Sequence, residues 1–303
     1  MAAISGNVWN VLGCSYCGAG LAKTGSGAEC TGCGLEYPHT DSGALDLRLR
    51  QPRKYELSFE LGTSLSPGAG LQIEPLRPNS KPEVDFSALG VPFRMTKELM
   101  SYIPKARTAD SLMLDVGCGS AVHRGLGEGA GFEWVGIDYS ASEATALADA
   151  HALPFKDGTF ECILSVAMLH LVRYPFVVMR EAFRVLKPGG TFLGTVAFLE
   201  PFHEGGFYHN THLGILNSLQ FGGFTVEKLA PSEDWSGLRA QAAMALFPKM
   251  PRPMIRSIVY PVHLLHRLWW KAGGLITGNP NVNENVRIRN STAGFSFVAT
   301  KPG

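Results

Sequence analysis

The sequence predicts an α/β protein built on a doubly wound, mostly parallel sheet, and two stretches predict it. Leu112-Met113-Leu114-Asp115-Val116 is an apolar run that carries a carboxylate at its end and opens at once into Gly117-Cys118-Gly119-Ser120. Such a run reads as a strand covered on both faces, as in a parallel sheet. Glycines directly after it let a ligand approach bare backbone at the carboxyl edge, where open α/β sheets bind ligands. Trp134-Val135-Gly136-Ile137-Asp138 is a second short strand ending in an acid. It lies roughly 20 residues on, the spacing expected for a carboxylate that reads ribose hydroxyls.

The 303 residues suit one main domain plus a small accessory one. Lys and Arg number 27 against 26 Asp and Glu, so no global charge argues for nucleic acid or a membrane. Hydrophobic content of 45% supports a sizeable core. The N-terminus lacks a basic segment followed by an apolar run, and the longest apolar stretches are broken by Arg, His or Pro. Neither a secretory leader nor a spanning helix is expected, and cytoplasm is the expected location.

Four of the six cysteines form two knuckles, Cys14-x-x-Cys17-Gly18 and Cys30-x-x-Cys33-Gly34, a dozen residues apart. Two such pairs can set four thiolates tetrahedrally around Zn2+ at about 2.3 Å, a closed structural site with no open position for chemistry. The glycine after each knuckle lets backbone amides turn toward sulfur. Disulfides are the alternative, disfavoured in a cytosolic chain. Cys118 and Cys162 read as small core residues. Residues 1–50 are therefore expected to form a zinc ribbon. Residues 51–92 are punctuated by Gly and Pro from Gly62 to Pro92, which excludes long regular elements. They read either as an arm draped over the pocket or as a linker. The main domain is expected over 93–303, and Met95, Leu99 and Ile103 restore helical spacing over 93–103.

From Leu112 onward the chain resembles the class I S-adenosylmethionine-dependent methyltransferases. Asp115-Val-Gly-Cys-Gly-Ser120 is similar to their first motif and Ile137-Asp138 to their second. Asp149-Ala-His-Ala-Leu-Pro-Phe155 resembles the segment beside the adenine, Phe160 to Ser165 the fourth-strand motif, and Val185 to Gly190 the turn before the fifth strand. The resemblance implies a Rossmann-like seven-stranded sheet whose last strand, Gly294 to Thr300, is antiparallel. It implies that Gly117 and Gly119 meet the methionine half of S-adenosyl-L-methionine and that Asp115 accepts from its ammonium group. Asp138 would take both ribose hydroxyls and Asp149 the adenine amino group, with Ala150 as a backbone donor; Ser165 completes the cofactor set. A lone strand-end aspartate is more simply a turn or helix cap, but three at successive strand ends argue otherwise. Only ten residues separate Asp138 from Asp149, so the second crossover helix is expected to be missing or reduced to a turn. The cysteine segment resembles the ribbons that precede some ribosomal-RNA guanine methyltransferases. Its Glu29, Glu36, Asp41 and Asp46 outnumber Lys23, Arg48 and Arg50, a poor footprint for phosphate.

The acceptor side is less explicit. Val166 to Leu171, which includes His170, lacks the Asn-Pro-Pro-aromatic run of members that methylate nucleobase or glutamine nitrogens. Pro175 to Leu186 reads as an amphipathic helix. The loop Glu200 to His212 gathers three histidines and, after its opening Glu200, a second glutamate, Glu204, between a strand end and a helix. A hydroxyl acceptor needs a base, and imidazole has the right ordinary pKa. His203 or His209 can serve, with Glu204 orienting the ring, Tyr208 binding the acceptor and His170 nearby. The same His203, Glu204, His209 and His212 can instead bind a divalent metal, or simply cap the next helix.

Residues 232–288 are an insertion the minimal fold does not need, with Ile255, Ile258, Val259, Val262, Leu265 and Trp269 at helical spacing. Arg252, Arg256, Arg267 and Lys271 lie among them. This helix can cap the active site, pack on the core or in a dimer, or lie on an anionic membrane through 252–272; Pro261 is expected to kink it. The expected activity is methyl transfer to an oxygen of a small molecule, sugar or lipid-linked intermediate. RNA base methylation and a non-catalytic cofactor-binding scaffold are the alternatives.

Overall fold

The computed structural model describes residues 4–58, 71, 73–202, 205–279 and 281–303. The N-terminal segment holds α1 (Gly6–Val11) and an antiparallel three-stranded sheet of β1 (Leu21–Thr24), β2 (Gly27–Cys30) and β3 (Glu36–Pro38), followed by β4 (Leu45–Asp46). The main body then runs through α2 (Lys97–Met100), β5 (Leu112–Val116), α3 (Arg124–Gly129), β6 (Glu133–Asp138), β7 (Ala146–Leu147) and β8 (Phe160–Val166). It continues with α4 (Pro175–Val185), β9 (Leu186–Ala197), α5 (His212–Gly222) and β10 (Thr225–Pro231). The insertion carries α6 (Gly237–Gln241), a π-helical turn over 242–246, α7 (Arg252–Thr277) and α8 (Glu284–Ser291), and β11 (Gly294–Thr300) closes the fold.

The large sheet has the order β10-β11-β9-β8-β5-β6-β7-β4, with β11 antiparallel to both neighbours and the other pairs parallel. The seven expected strands are all present. An eighth joins them: β4 pairs in parallel with β7, Leu45 opposite Ala146 and Asp46 opposite Leu147. Leu12 bridges Phe155, the Gly13 N–H donates to the Pro154 carbonyl at 2.9 Å, and the Lys156 N–H donates to the Val11 carbonyl at 2.9 Å. Cysteine ribbon and sheet therefore share one core, in which Val8, Tyr37 and Leu45 are buried with Leu114, Ile163 and Phe297.

Alternation along the strands divides that core into two faces. Leu112, Leu114 and Val116 of β5 join the ribbon side, whereas Met113 joins Phe86, Leu99, Ile103 and Leu126 on the other. Phe86 belongs to the segment 73–92, which runs along the core without regular structure. It is pinned there by the Asn79 N–H on Ser101 Oγ at 2.8 Å and the Lys105 N–H on Glu83 at 3.0 Å. Residues 59–70 and 72 of the Gly/Pro-rich stretch lie outside the described residues.

Two expectations change. The helix expected over 93–103 is the single turn of α2, because Arg94 adopts φ 57°, Thr96 caps the turn by accepting the Leu99 N–H, and Pro104 follows. The helix α7 runs through Pro261 and extends to Thr277, beyond the Trp269-Trp270-Lys271 end read from the sequence. Between Asp138 and Ala146 the chain makes turns and no helix, as the short spacing predicts. No described helix is long and apolar enough to cross a membrane.

Candidate active site

At the carboxyl edge of β5 the glycine loop folds back on β6. The N–H groups of Gly117 and Cys118 both donate to the Ile137 carbonyl, at 2.9 and 3.0 Å. Gly117 sits at φ 77°, and a Cβ there would fall 2.3 Å from Met168 Cγ, so both backbone and space demand glycine. The Asp138 carboxylate clamps this loop, accepting from the N–H groups of Gly119 at 3.1 Å, Ser140 at 2.9 Å and Ala141 at 3.0 Å. A carboxylate accepts about four hydrogen bonds. Three are in use, so Asp138 has room for one ribose hydroxyl, and gripping both would require one N–H to let go.

Asp115 is fully buried, and neither carboxylate oxygen has a hydrogen-bond partner among the described residues. Burial pushes its pKa up to about 7, against the indole of Trp134 and with help from the charge of Asp138. His123 Nδ1 lies 3.8 Å from Asp115 Oδ2, and His123 Nε2 lies 2.9 Å from the Phe93 carbonyl. A carbonyl only accepts, so Nε2 carries the hydrogen and a neutral ring turns a bare Nδ1 lone pair toward Asp115. Burial also lowers the pKa of His123. Once Asp115 is ionised, the two facing acceptors form a receptor for a cationic N–H donor.

Asp149, beyond β7, accepts at Oδ1 from the His151 N–H at 2.9 Å and from His151 Nδ1 at 2.6 Å. His151 Nε2 accepts from the Tyr174 N–H at 3.0 Å, which fixes the Nδ1–H tautomer. Burial works against it, yet the two bonds from His151 hold Asp149 below the usual carboxylate range. Its Oδ2 takes no hydrogen bond among the described residues and stands beside Ala150. Ser165 Oγ, on β8, is buried and likewise without a partner there. Acceptors at the ends of β5, β6, β7 and β8, buried at Asp115 and Ser165 and half-buried at Asp138 and Asp149, surround a loop that excludes side chains and fit a ligand with an ammonium group, a ribose and an amino-purine.

The loops after β8 and β9 meet above this edge. The carbonyl of buried His170 accepts from the N–H groups of Phe207 and Tyr208, at 2.8 and 3.2 Å. The Tyr208 hydroxyl donates to the Arg173 carbonyl at 3.0 Å, so it braces the loop. His209 donates from Nδ1 to the Phe198 carbonyl at 2.5 Å, leaving Nε2 of an exposed ring as an acceptor. His212 opens α5 with its ring 6.0 Å from that of Phe295, and burial lowers its pKa. His203 and Glu204 lie outside the described residues.

Residues 114–194 match the family model described as "Methyltransferase domain". Over these residues the chain carries a methyltransferase domain. Over 57 residues it is 46% identical to the ubiquinone/menaquinone biosynthesis C-methyltransferase of Cronobacter sakazakii, covering 19% of this chain and 22% of that protein. Over 58 residues it is 36% identical to a mitochondrial arginine-hydroxylase of Danio rerio, covering 19% and 18%. The chain thus spans about a fifth of the length of these curated relatives. Among solved structures, it resembles a putative S-adenosylmethionine dependent methyltransferase from Listeria monocytogenes with TM-score 0.43 and 16% identity, over 68% of this chain and 97% of that one.

Two further features frame the methyltransferase domain. Buried Glu200, at the root of the histidine loop, forms a two-toothed ion pair with Arg94 and accepts from the Trp235 indole N–H at 2.6 Å. It ties the approach to α2 and the insertion to the end of β9. Sequence reading missed this residue, together with His123 and His151. On the ribbon side, the sulfurs of Cys14, Cys17, Cys30 and Cys33 all lie within 4.8 Å of one another, with Cys14–Cys33 at 3.7 Å and Cys17–Cys30 at 3.4 Å. Four thiolates tetrahedral about zinc would stand about 3.8 Å apart. The N–H groups of Gly32 and Cys33 approach Cys30 Sγ at 3.4 Å, and that of Tyr16 approaches Cys14 Sγ at 3.4 Å. The spacing and the all-sulfur donor set fit a zinc ion.

Proposed function

We propose that this chain transfers a methyl group from S-adenosylmethionine to a hydroxyl oxygen of a small-molecule, sugar or lipid-linked acceptor. The observation that carries the choice of oxygen is His209: a ring fixed through Nδ1–H on the Phe198 carbonyl, with Nε2 left to take a proton. The bound cofactor supplies an already activated methyl on a sulfonium, so the protein's task is alignment and proton removal. Asp115 and His123 hold the ammonium group, Asp138 a ribose hydroxyl and Asp149 the adenine amino group. His209 Nε2 receives the hydroxyl proton and passes it to solvent from its exposed ring. Cys14, Cys17, Cys30 and Cys33 hold a structural Zn2+.

A second reading, methylation at a carbon beside a hydroxyl, is supported by the similarity to a C-methyltransferase of ubiquinone/menaquinone biosynthesis. The same base serves there, removing the hydroxyl proton to push electrons toward carbon. The acidic balance of the ribbon weighs against RNA. Incubation with methyl-labelled cofactor and panels of sugars, phenols and quinols, followed by NMR of the product, decides between O–CH3 and C–CH3. Tight cofactor binding with no labelled product from any acceptor or cell extract would replace both readings with a scaffold role.

A further inference from the structure

Of the 26 residues of α7, only Ile255 and Val259 are buried. Met254, Ile258, Leu265, Leu268, Trp269 and Ile276 are between 45% and 84% exposed. With 3.6 residues per turn these six fall within an arc of about 100°. Such an arc along one helix is a continuous apolar strip, larger than scattered surface leucines explain. Arg252, Arg256, Arg267 and Lys271 occupy a second arc, which Lys271 brings to the edge of the first. From Lys249 to the C-terminus the chain carries eight Lys and Arg and a single acid, Glu284, although the whole chain balances 27 against 26. That acid is already engaged by Arg287 at 2.7 Å and Arg267 at 3.6 Å. Among the described residues, Arg252 and Arg256 form no ion pair with a carboxylate, and Lys271 acts on Glu284 only as a third cation behind Arg287 and Arg267.

We infer that α7 lies in the surface of an anionic lipid bilayer, its apolar strip at the acyl boundary and its basic arc toward the headgroups. An apolar strip bearing a tryptophan, with basic residues on the polar face, is the pattern of a helix that rests in the interface plane. Charge selects this occupant. A second copy of the same surface would add the same unbalanced positive charge, whereas acidic headgroups neutralise it. The position of α7 gives the contact a use. The Arg252 guanidinium stacks on the Phe93 ring at 5.1 Å, and the Phe93 carbonyl holds His123 beside Asp115, so the start of α7 sits at the rim of the cofactor cleft. Resting on the proposed methyl transfer, this makes the acceptor an amphiphile drawn from the bilayer.

Sedimentation with phosphatidylcholine vesicles, with and without phosphatidylglycerol, tests the docking without cofactor or acceptor, so its outcome is independent of catalysis. The protein should bind the acidic vesicles, release as salt rises, and shift its tryptophan emission to the blue, a shift lost in Trp269→Phe. Leu265→Glu should weaken binding at least about tenfold, and Arg256→Glu with Lys271→Glu about tenfold or more. The paired charge reversal lies on the polar arc, where folding is not at risk. Equal affinity for neutral and acidic vesicles would overturn the inference. So would failure to bind either, together with a dimer in solution that Leu265→Glu splits.

Discussion

His123 Nδ1 stands 3.8 Å from Asp115 Oδ2, both buried and both without a hydrogen-bond partner among the described residues. The pair is arranged for a guest that brings its own protons. Without one, the carboxylic acid keeps its hydrogen to about pH 7, whereas an unfolded chain releases it near about pH 4. The native state therefore holds the extra proton, and stability of the cofactor-free protein should be full below about pH 4 and decline as pH rises toward about 7. Asp115→Asn should raise the melting temperature at pH 8 and change it little at pH 4.5. An equal shift at both pH values would refute the assignment.

Cofactor affinity should move the other way. An ammonium group needs the carboxylate ionised, so binding measured by calorimetry should tighten as pH rises through about 7. Asp115→Asn should remove most of the affinity, and His123→Ala should cost about tenfold by deleting one acceptor. A flat pH profile would show that the pair does not meet the ammonium.

Asp138→Ala deprives Gly119, Ser140 and Ala141 of their acceptor. The loss should appear twice: as weaker cofactor binding and as about 1–3 kcal/mol of lost stability from the unanchored loop. Asp138→Asn, which keeps one acceptor oxygen, should fall between. Weakened binding with an unchanged melting curve would mean that the loop holds itself without the clamp.

His209→Ala should lower turnover by about 10²–10⁴-fold and leave cofactor affinity unchanged. Tyr208→Phe removes a hydroxyl that, among the described residues, reaches only the Arg173 carbonyl, and should change turnover by less than about fivefold. Full activity in His209→Ala would return the histidine loop to a structural role.

Elemental analysis should find one zinc per chain, absent from Cys14→Ser. Because Cys14, Cys30 and Tyr37 share a core with Leu114 and Ile163, chelation should lower the melting temperature of the whole molecule rather than produce a separate early transition. Two resolved transitions would contradict a common core.

The sequence made the cofactor edge legible because each element there announces itself locally. An apolar run, an acid and a glycine turn lie within nine residues at Leu112–Ser120. The cysteine knuckles and α4 are local in the same sense. What escaped depends on partners far along the chain. His123 acquires meaning only from Asp115 and from a carbonyl 30 residues earlier, and Glu200 from Arg94 and Trp235. The two residues of β4 have no periodicity to read, and their partner lies a hundred positions on. The partial saturation of Asp138 was legible in principle, since an aspartate two residues before a serine favours a turn that engages its own side chain.

The fastening of β4 along β7 has a practical consequence for anyone handling the protein. Trimming the N-terminus to obtain a minimal catalytic fragment would strip the margin of the sheet and lay bare an unpaired rim, with Leu45, Leu47 and Tyr37 no longer filling their places beneath it. Such a fragment should precipitate rather than work, and expression starved of metal should give the same insoluble product.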